Sequence, residues 1–112
     1  MIETILVNGI EVPVRFSMTG MFEVLENKGK GLADLSNLSL LEILDIFWMA
    51  VRVGCRRGAK ENPFKSKEEF FDAIDDDTPA IGRFTEAMNR SMEAAEKTVD
   101  EKNGKAQAKA KK

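Results

Sequence analysis

Two runs of alternating character open the chain. Ile10, Val12, Val14 and Phe16 alternate with Glu11, Pro13 and Arg15, and the β-prone run Ile2-Glu3-Thr4-Ile5-Leu6-Val7 precedes them. Asn8-Gly9 stands between, and both residues tolerate the positive φ that the two central positions of a type I′ turn demand. The pattern predicts a β-hairpin over residues 2–16. A two-stranded ribbon is marginal alone, so the face formed by Ile10, Val12, Val14 and Phe16 is expected to pack on helices. Pro13 has no amide donor and is expected at an edge of the ribbon.

From residue 19 the apolar period becomes helical. Met21, Phe22, Val24 and Leu25 give one side to a helix over 19–27, capped by Ser17 or Thr19, weakened at Gly20 and stopped at Gly29. Ser39 and Glu42 have the spacing at which a hydroxyl and a carboxylate satisfy each other's end amides. They open a helix over 40–57 that is apolar on most sides and ended by Gly58, the mark of a central element. Ser66 and Glu69 repeat the spacing before a short helix over 67–75 with Phe70, Phe71 and Ile74 on its apolar face. Thr78-Pro79 starts a fourth helix over 79–101, whose stripe is Ile81, Phe84, Met88, Met92, Ala95 and Val99. Residues 102–112 hold no large apolar side chain and are expected as a disordered basic tail. The fold class predicted is α+β, mainly α: one domain over 1–101, with an N-terminal hairpin packed on about four helices.

Charge divides the chain in two. All 19 acidic residues and 12 of the 17 basic ones lie in 1–101, a balance of −7, whereas 102–112 carries +5. An acidic body disfavours non-specific contact with nucleic acid, which depends on neutralising phosphate with Lys and Arg. With no His, no Tyr and a single Cys, the chain lacks the commonest general base, imidazole metal ligands and any internal disulfide. Neither an enzyme nor a cofactor is expected. The longest apolar run, 46–51, is far short of the roughly 20 residues that cross a bilayer. Glu3 and Asn8-Gly9 interrupt the region where a secretion signal would need an unbroken apolar stretch, so a cytoplasmic address is the expectation.

Several clusters invite chemistry. Lys28-Gly29-Lys30-Gly31 is glycine-rich but lacks the Gly-Lys-Ser/Thr ending of a phosphate loop and reads as a connector. Asp72, Asp75, Asp76 and Asp77 lack the spacing of a calcium loop and suit the positive pole of the helix that follows. Arg52, Arg56, Arg57 and Lys60 crowd the end of the second helix, where cations favour the negative pole. The alternative is a small site for phosphate or an acidic partner, because Arg52 and Arg56 share one helix face. Cys55 reads as a small buried apolar residue. Trp48, beside Phe47, reads as core, with a binding anchor as its alternative. An apolar second helix and a ribbon with open edges suggest a homo-oligomer.

The order of these pieces carries a resemblance. Val7-Asn8-Gly9 follows a short strand, a second strand ends at Phe16, and a Ser/Thr-started helix closes at Gly29. Phe47-Trp48-Met49-Ala50 and then Ser66-Lys67-Glu68-Glu69-Phe70-Phe71-Asp72 come next. Over about residues 2–76 this resembles the tail assembly chaperone proteins of long-tailed bacteriophages and prophages. The resemblance implies a small, mainly helical protein of the bacterial host's cytoplasm, absent from the mature virion. Such a protein associates with itself and with the helical tape measure protein, keeping it soluble until tail tube subunits polymerise; the tail tube protein is a further candidate partner. A chaperone of that kind needs a groove that accepts an apolar helix stripe, and Phe47, Trp48, Phe70, Phe71 and Met88 are the expected lining. Two other classes stay open: a structural or tail-completion virion protein, and a small nucleic-acid-associated regulator using the arginine cluster and the lysine tail.

Overall fold

The computed structural model describes the backbone of residues 2–110 and the side chains of 2–94 apart from residue 32. Its elements are β1 (Glu3–Val7), β2 (Ile10–Val14), α1 (Met18–Asn27), a 3-10 helix (Leu32–Asn37), α2 (Leu40–Arg57), α3 (Lys67–Asp76) and α4 (Pro79–Ala110). This is the α+β, mainly helical architecture predicted, a hairpin with four α-helices among the described residues. The 3-10 helix is an addition to it. The bounds of α4 extend past the expected end at 101, and the expected tail, 102–112, lies outside the residues described with their side chains, as do Ala95 and Val99.

The hairpin pairs antiparallel in the register Glu3↔Val14, Ile5↔Val12 and Val7↔Ile10. Asn8 and Gly9 both take positive φ, 49° and 80°, as a type I′ turn requires. Hydrogen-bonded and open pairs alternate outward from that turn, which puts Thr4 and Pro13 in an open pair where a missing amide costs the ladder nothing. Ile5, Val7, Val12 and Val14 form the buried face. Ile10 departs from expectation: at the tip of the ribbon it overhangs the core and stays 40% exposed.

Helices lie against part of each edge of the ribbon. Pro13 is buried because α2 crosses directly over β2. The Arg15 amide donates to the Ala50 carbonyl at 2.9 Å, and a Cβ on Gly54 would lie 2.5 Å from the Pro13 carbonyl oxygen and the Val14 Cα. On the other edge, Arg83 of α4 donates to the Leu6 carbonyl at 2.9 Å, and the Asn8 amide donates to the Asp77 carboxylate at 2.9 Å. Helices thus contact part of each edge, while Thr4, Leu6 and Glu11 stay exposed.

A chain of aromatic rings joins the layers. Phe16 meets Phe47 edge-on at 6.0 Å, Phe47 stacks on Phe84 at 5.0 Å, and Phe84 meets Phe70 edge-on at 5.6 Å. Such pairs are each worth about 0.5–1.5 kcal/mol beyond their buried area, and here they tie the segment after β2 to α2, α4 and α3 in one core. The buried line of α4 is Ala80, Phe84 and Ala87, with Ile81, Met88 and Met92 half-buried beside it. A stripe read from large side chains misses the two alanines, which let α4 approach closely.

Helix ends follow their caps, with two corrections. At α2 the Ser39 hydroxyl accepts from the Glu42 amide and the Glu42 carboxylate accepts from the Ser39 amide, as expected. At α3 the Ser66 hydroxyl accepts from the Glu69 amide, but the Glu69 carboxylate reaches one residue further back, to the Lys65 amide. The C-terminus of α2 is closed by the Lys60 amide on the Cys55 carbonyl and the Ala59 amide on the Arg56 carbonyl, a Schellman motif. The left-handed residue in it is Ala59, φ 51°, rather than Gly58.

Candidate functional site

The start of α1 lies beside the end of α2, and the end of α1 beside the first turns of α2, so the two helices run antiparallel. On α1 the facing positions are Gly20, Glu23, Val24 and Asn27; on α2 they are Asp45, Trp48, Met49, Arg52, Val53 and Arg56. Both sets recur at three- and four-residue steps, which put them on one face of each helix. Gly20 and Met49 mark a close approach of the two helices. A Cβ on Gly20 would fall 2.5 Å from the Met49 sulfur, so Gly20, which weakens its turn, is what permits the approach.

Away from that point the faces part. A cavity of about 410 Å³ opens among Ser17, Thr19, Glu23, Met49, Arg52 and Arg56, and another of about 280 Å³ opens towards Trp48, Asn27 and Lys67. They share Gly20, Glu23, Met49 and Arg52, and so form one trough. Met49 and Val53, both 8% exposed, make an apolar floor, with half-buried Val24 and Trp48 on its sides. Trp48 is held by stacking on Phe70 at 5.6 Å.

The two ends of the trough differ in charge. At the Trp48 end the cations are satisfied. Lys28 and Lys67 donate to the Asp45 carboxylate at 2.6 and 3.1 Å, joining α1, α2 and α3. Burial raises the Asp45 carboxyl, but the two ammonium groups outweigh it and hold it below the ordinary range. Next to it, Lys30 lies 2.8 Å from the Glu42 carboxylate; Lys30 and then the Ser39 amide lower that carboxyl to about 2. The glycine-rich connector thus spends both of its lysines on α2.

At the other end Arg52 and Arg56 form no ion pair with any described residue, nor do Arg15 and Arg57. Arg52, Arg56 and Arg57 are exposed. Arg56 and Arg57 sit in the last turn of α2, where cations favour the negative pole, while the Schellman bonds close its carbonyls with backbone amides. The guanidinium groups are left to face outward. Arg15 and Arg57 line a third cavity of about 360 Å³ that shares Ser17 and Thr19 with the arginine end of the trough. The Ser17 hydroxyl caps α1 by accepting from the Gly20 amide at 3.2 Å and contacts the Thr19 hydroxyl at 3.0 Å.

Of the five side chains expected to line a helix-accepting groove, Trp48 does so. Phe47 and Phe70 are wholly buried at 0% exposure and support the surface from beneath. Phe71 and Met88 are half-buried against the core and line none of these cavities, and the Lys67 ammonium sits 5.8 Å from the centre of the Phe71 ring. Sequence reasoning missed Val24, Met49 and Val53 as lining because it read them only as core-facing apolar positions. Gly20, inside an otherwise regular helix, was the available signal of a close helix approach.

Two titratable groups elsewhere are shifted by their surroundings. The Asn8 amide and then Arg83 lower the Asp77 carboxyl, and burial raises the Cys55 thiol, whose sulfur lies 4.0 Å from the Pro13 carbonyl oxygen. Among the described residues no three His, Cys, Asp or Glu side chains gather as a metal site, and no helix is long and apolar enough to cross a membrane. No protein-family model, curated protein or solved structure matches the chain.

Proposed function

We propose that this chain is a tail assembly chaperone of the long-tailed phage or prophage kind, acting without catalysis by holding an apolar-striped helix of a tape measure protein in the α1–α2 trough. The observation that carries the reading is the trough itself. Its floor is Met49 and Val53, its sides are Val24 and Trp48, and its rim is charged. The ten residues of α1 rise about 15 Å, which accommodates about three turns of a docked helix. An amphipathic helix that would aggregate alone could bury its i, i+3, i+4 and i+7 anchors there while its polar face stays in water. The resemblance in the order of elements over residues 2–76 supplies the class of client.

Co-expression tests this reading. With the long helical protein encoded beside it, the chain is expected to raise that partner's soluble fraction. Asn27→Trp should abolish the gain, because Asn27 is exposed on the rim and a bulky side chain there fills the trough without touching the core. Trp48→Ala should reduce it, with circular dichroism checking that the loss of stacking on Phe70 has not unfolded the chain. A partner equally soluble with the Asn27→Trp chain would overturn the reading.

A further inference from the structure

We infer that the trough takes its occupant in one direction, with a carboxylate-bearing segment of the docked helix against Arg52 and Arg56 and an apolar segment against Trp48. The inference deepens the proposal above and rests on the trough being the docking surface. Its basis is the unequal charge satisfaction along a single channel. Lys28, Lys30 and Lys67, near the Trp48 end, already have carboxylate partners within 3.1 Å. Arg52 and Arg56, at the other end, have none among the described residues, and neither do Arg15 and Arg57, just beyond Ser17 and Thr19.

Four guanidinium groups with no carboxylate partner among the described residues line one run of cavities in a chain of net charge −2. Intramolecular pairing would relieve the repulsion between them, and the chain's other two arginines show it is available: Arg83 pairs with Asp77 at 3.0 Å and Arg90 with Glu3 at 2.6 Å. Among the described residues Glu23 is the one acidic residue that lines the arginine end, and it lies beyond ion-pair distance of Arg52 and Arg56. The planar, always-charged guanidinium suits carboxylates in particular, because it can donate two parallel hydrogen bonds to one of them. An apolar floor continues beneath Arg52 and Arg56 as Met49 and Val53, so the complementary ligand is an amphipathic peptide helix bearing carboxylates, not a bare anion. Electrostatics of this kind fix register and direction more than raw affinity.

The test uses the whole protein and its single tryptophan, Trp48, as reporter. Three probes are titrated: an 18-residue amphipathic peptide with a Leu/Met stripe and four Glu in one terminal half, the same peptide with Lys for Glu, and a duplex DNA of similar charge. The Glu peptide is expected to change Trp48 emission and to bind at least tenfold more tightly than the Lys peptide. Its affinity should weaken severalfold between 50 and 300 mM salt, because the groups involved are exposed. Arg52→Glu with Arg56→Glu should reverse the preference between the two peptides. Both sites are exposed, and an unchanged thermal transition would show that the fold is intact. Equal binding of the two peptides, no binding of the Glu peptide, or Arg52-dependent binding of DNA in preference to it would each overturn the inference. If the partner helix is still held soluble on co-expression in any of those cases, the chaperone reading stands without the directional one. A correct peptide preference with no effect on the partner's solubility would sink the chaperone reading and leave the acidic-helix site.

Discussion

On one side of α2, at Gly54, helix backbone lies against strand backbone; on the other, between Trp48 and Arg56, the helix stands off from α1 and leaves a charged trough. The first contact is buried and close. Arg15 hydrogen-bonds to Ala50 across it, and Val12 and Val14 have at most 1% exposure. The second is close at Gly20 and Met49 and opens into cavities beside them. A helix buried on one side and notched on the other divides its work. The hairpin seam holds the fold, and the trough keeps apolar surface and unpaired cations available. The difference lies in what each glycine faces, a neighbouring backbone or the sulfur of a flexible side chain.

That difference sets the largest predicted effect. Gly54→Ala would push a methyl group to 2.5 Å from the Pro13 and Val14 backbone, which cannot move without opening the ribbon. Overpacking of this kind costs about 1–3 kcal/mol, and an immovable neighbour places it at the upper end even after the gain of about 1 kcal/mol in helix propensity. The thermal midpoint should drop by roughly 10 °C. Gly20→Ala meets the Met49 thioether at the same 2.5 Å, but that side chain has other rotamers and the helix gains propensity. Its midpoint should stay within roughly 5 °C of the parent. Equal losses in the two variants would erase the distinction between seam and trough.

The hairpin, both Ser caps, the end of α1 and the span of α2 were legible in the sequence because each rests on chemistry local to a few residues. Asn8-Gly9 and Ser39 with Glu42 need no tertiary context. Which apolar residue faces what does need it. Ile10 has the same strand phase as Val12 and Val14 yet projects beyond the core. Leu40 and Leu41 are 55% and 66% exposed at the start of a helix that reads as apolar throughout. Phe47 and Trp48 are neighbours in sequence and lie about 100° apart around the helix, so one is core and the other trough. Gly54 carried a signal that was overlooked: a glycine inside a strong helix usually marks a close approach. The unpaired state of Arg52 and Arg56 was beyond reach, since it depends on where every carboxylate falls in three dimensions.

Acid should separate the two regions a second way. Asp45 and Glu42 tie the Trp48 end of the trough to α1 and α3, and both carboxyls are held below their ordinary values. A carboxylate with a depressed folded-state pKa contributes stability that is present above its unfolded value and is lost as pH falls through the folded one. For Glu42 that window runs from 4.5 down to about 2. The seam around Gly54 contains no such group; Asp77 ties down only the hairpin tip. Trp48 emission is therefore expected to shift in this window before far-UV circular dichroism is lost, and Asp45→Asn should shrink the early shift. Coincident transitions by both probes would show that the trough is no looser than the seam.

The smallest effect compares the ends of the two helices that form the trough. Both close in a Schellman motif, with the amide two residues past the cap or an equivalent one bonding back: Lys30 to the Leu25 carbonyl at 2.9 Å in α1, and Lys60 to the Cys55 carbonyl at 2.9 Å in α2. The left-handed position is Gly29 in the first, φ 69°, and Ala59 in the second, φ 51°. A methyl group in that conformation costs about 1–2 kcal/mol, and a glycine gives back about 0.4–1 kcal/mol through the greater freedom of its unfolded chain. Ala59→Gly should therefore stabilise by roughly 0.5–1 kcal/mol, and Gly29→Ala should destabilise by about the same amount. Neither change meets a packing complication: Ala59 is exposed, and nothing lies within 4 Å of a Cβ built on Gly29. Denaturant midpoints of the two single variants and the double one are the measurement, with the double expected to return to the parent value because the sites share no partner. A destabilised Ala59→Gly would mean that the alanine methyl supports the end of α2, and with it the positions of Arg56 and Arg57. A stabilised one would mean that the methyl adds nothing at this end to offset its left-handed strain.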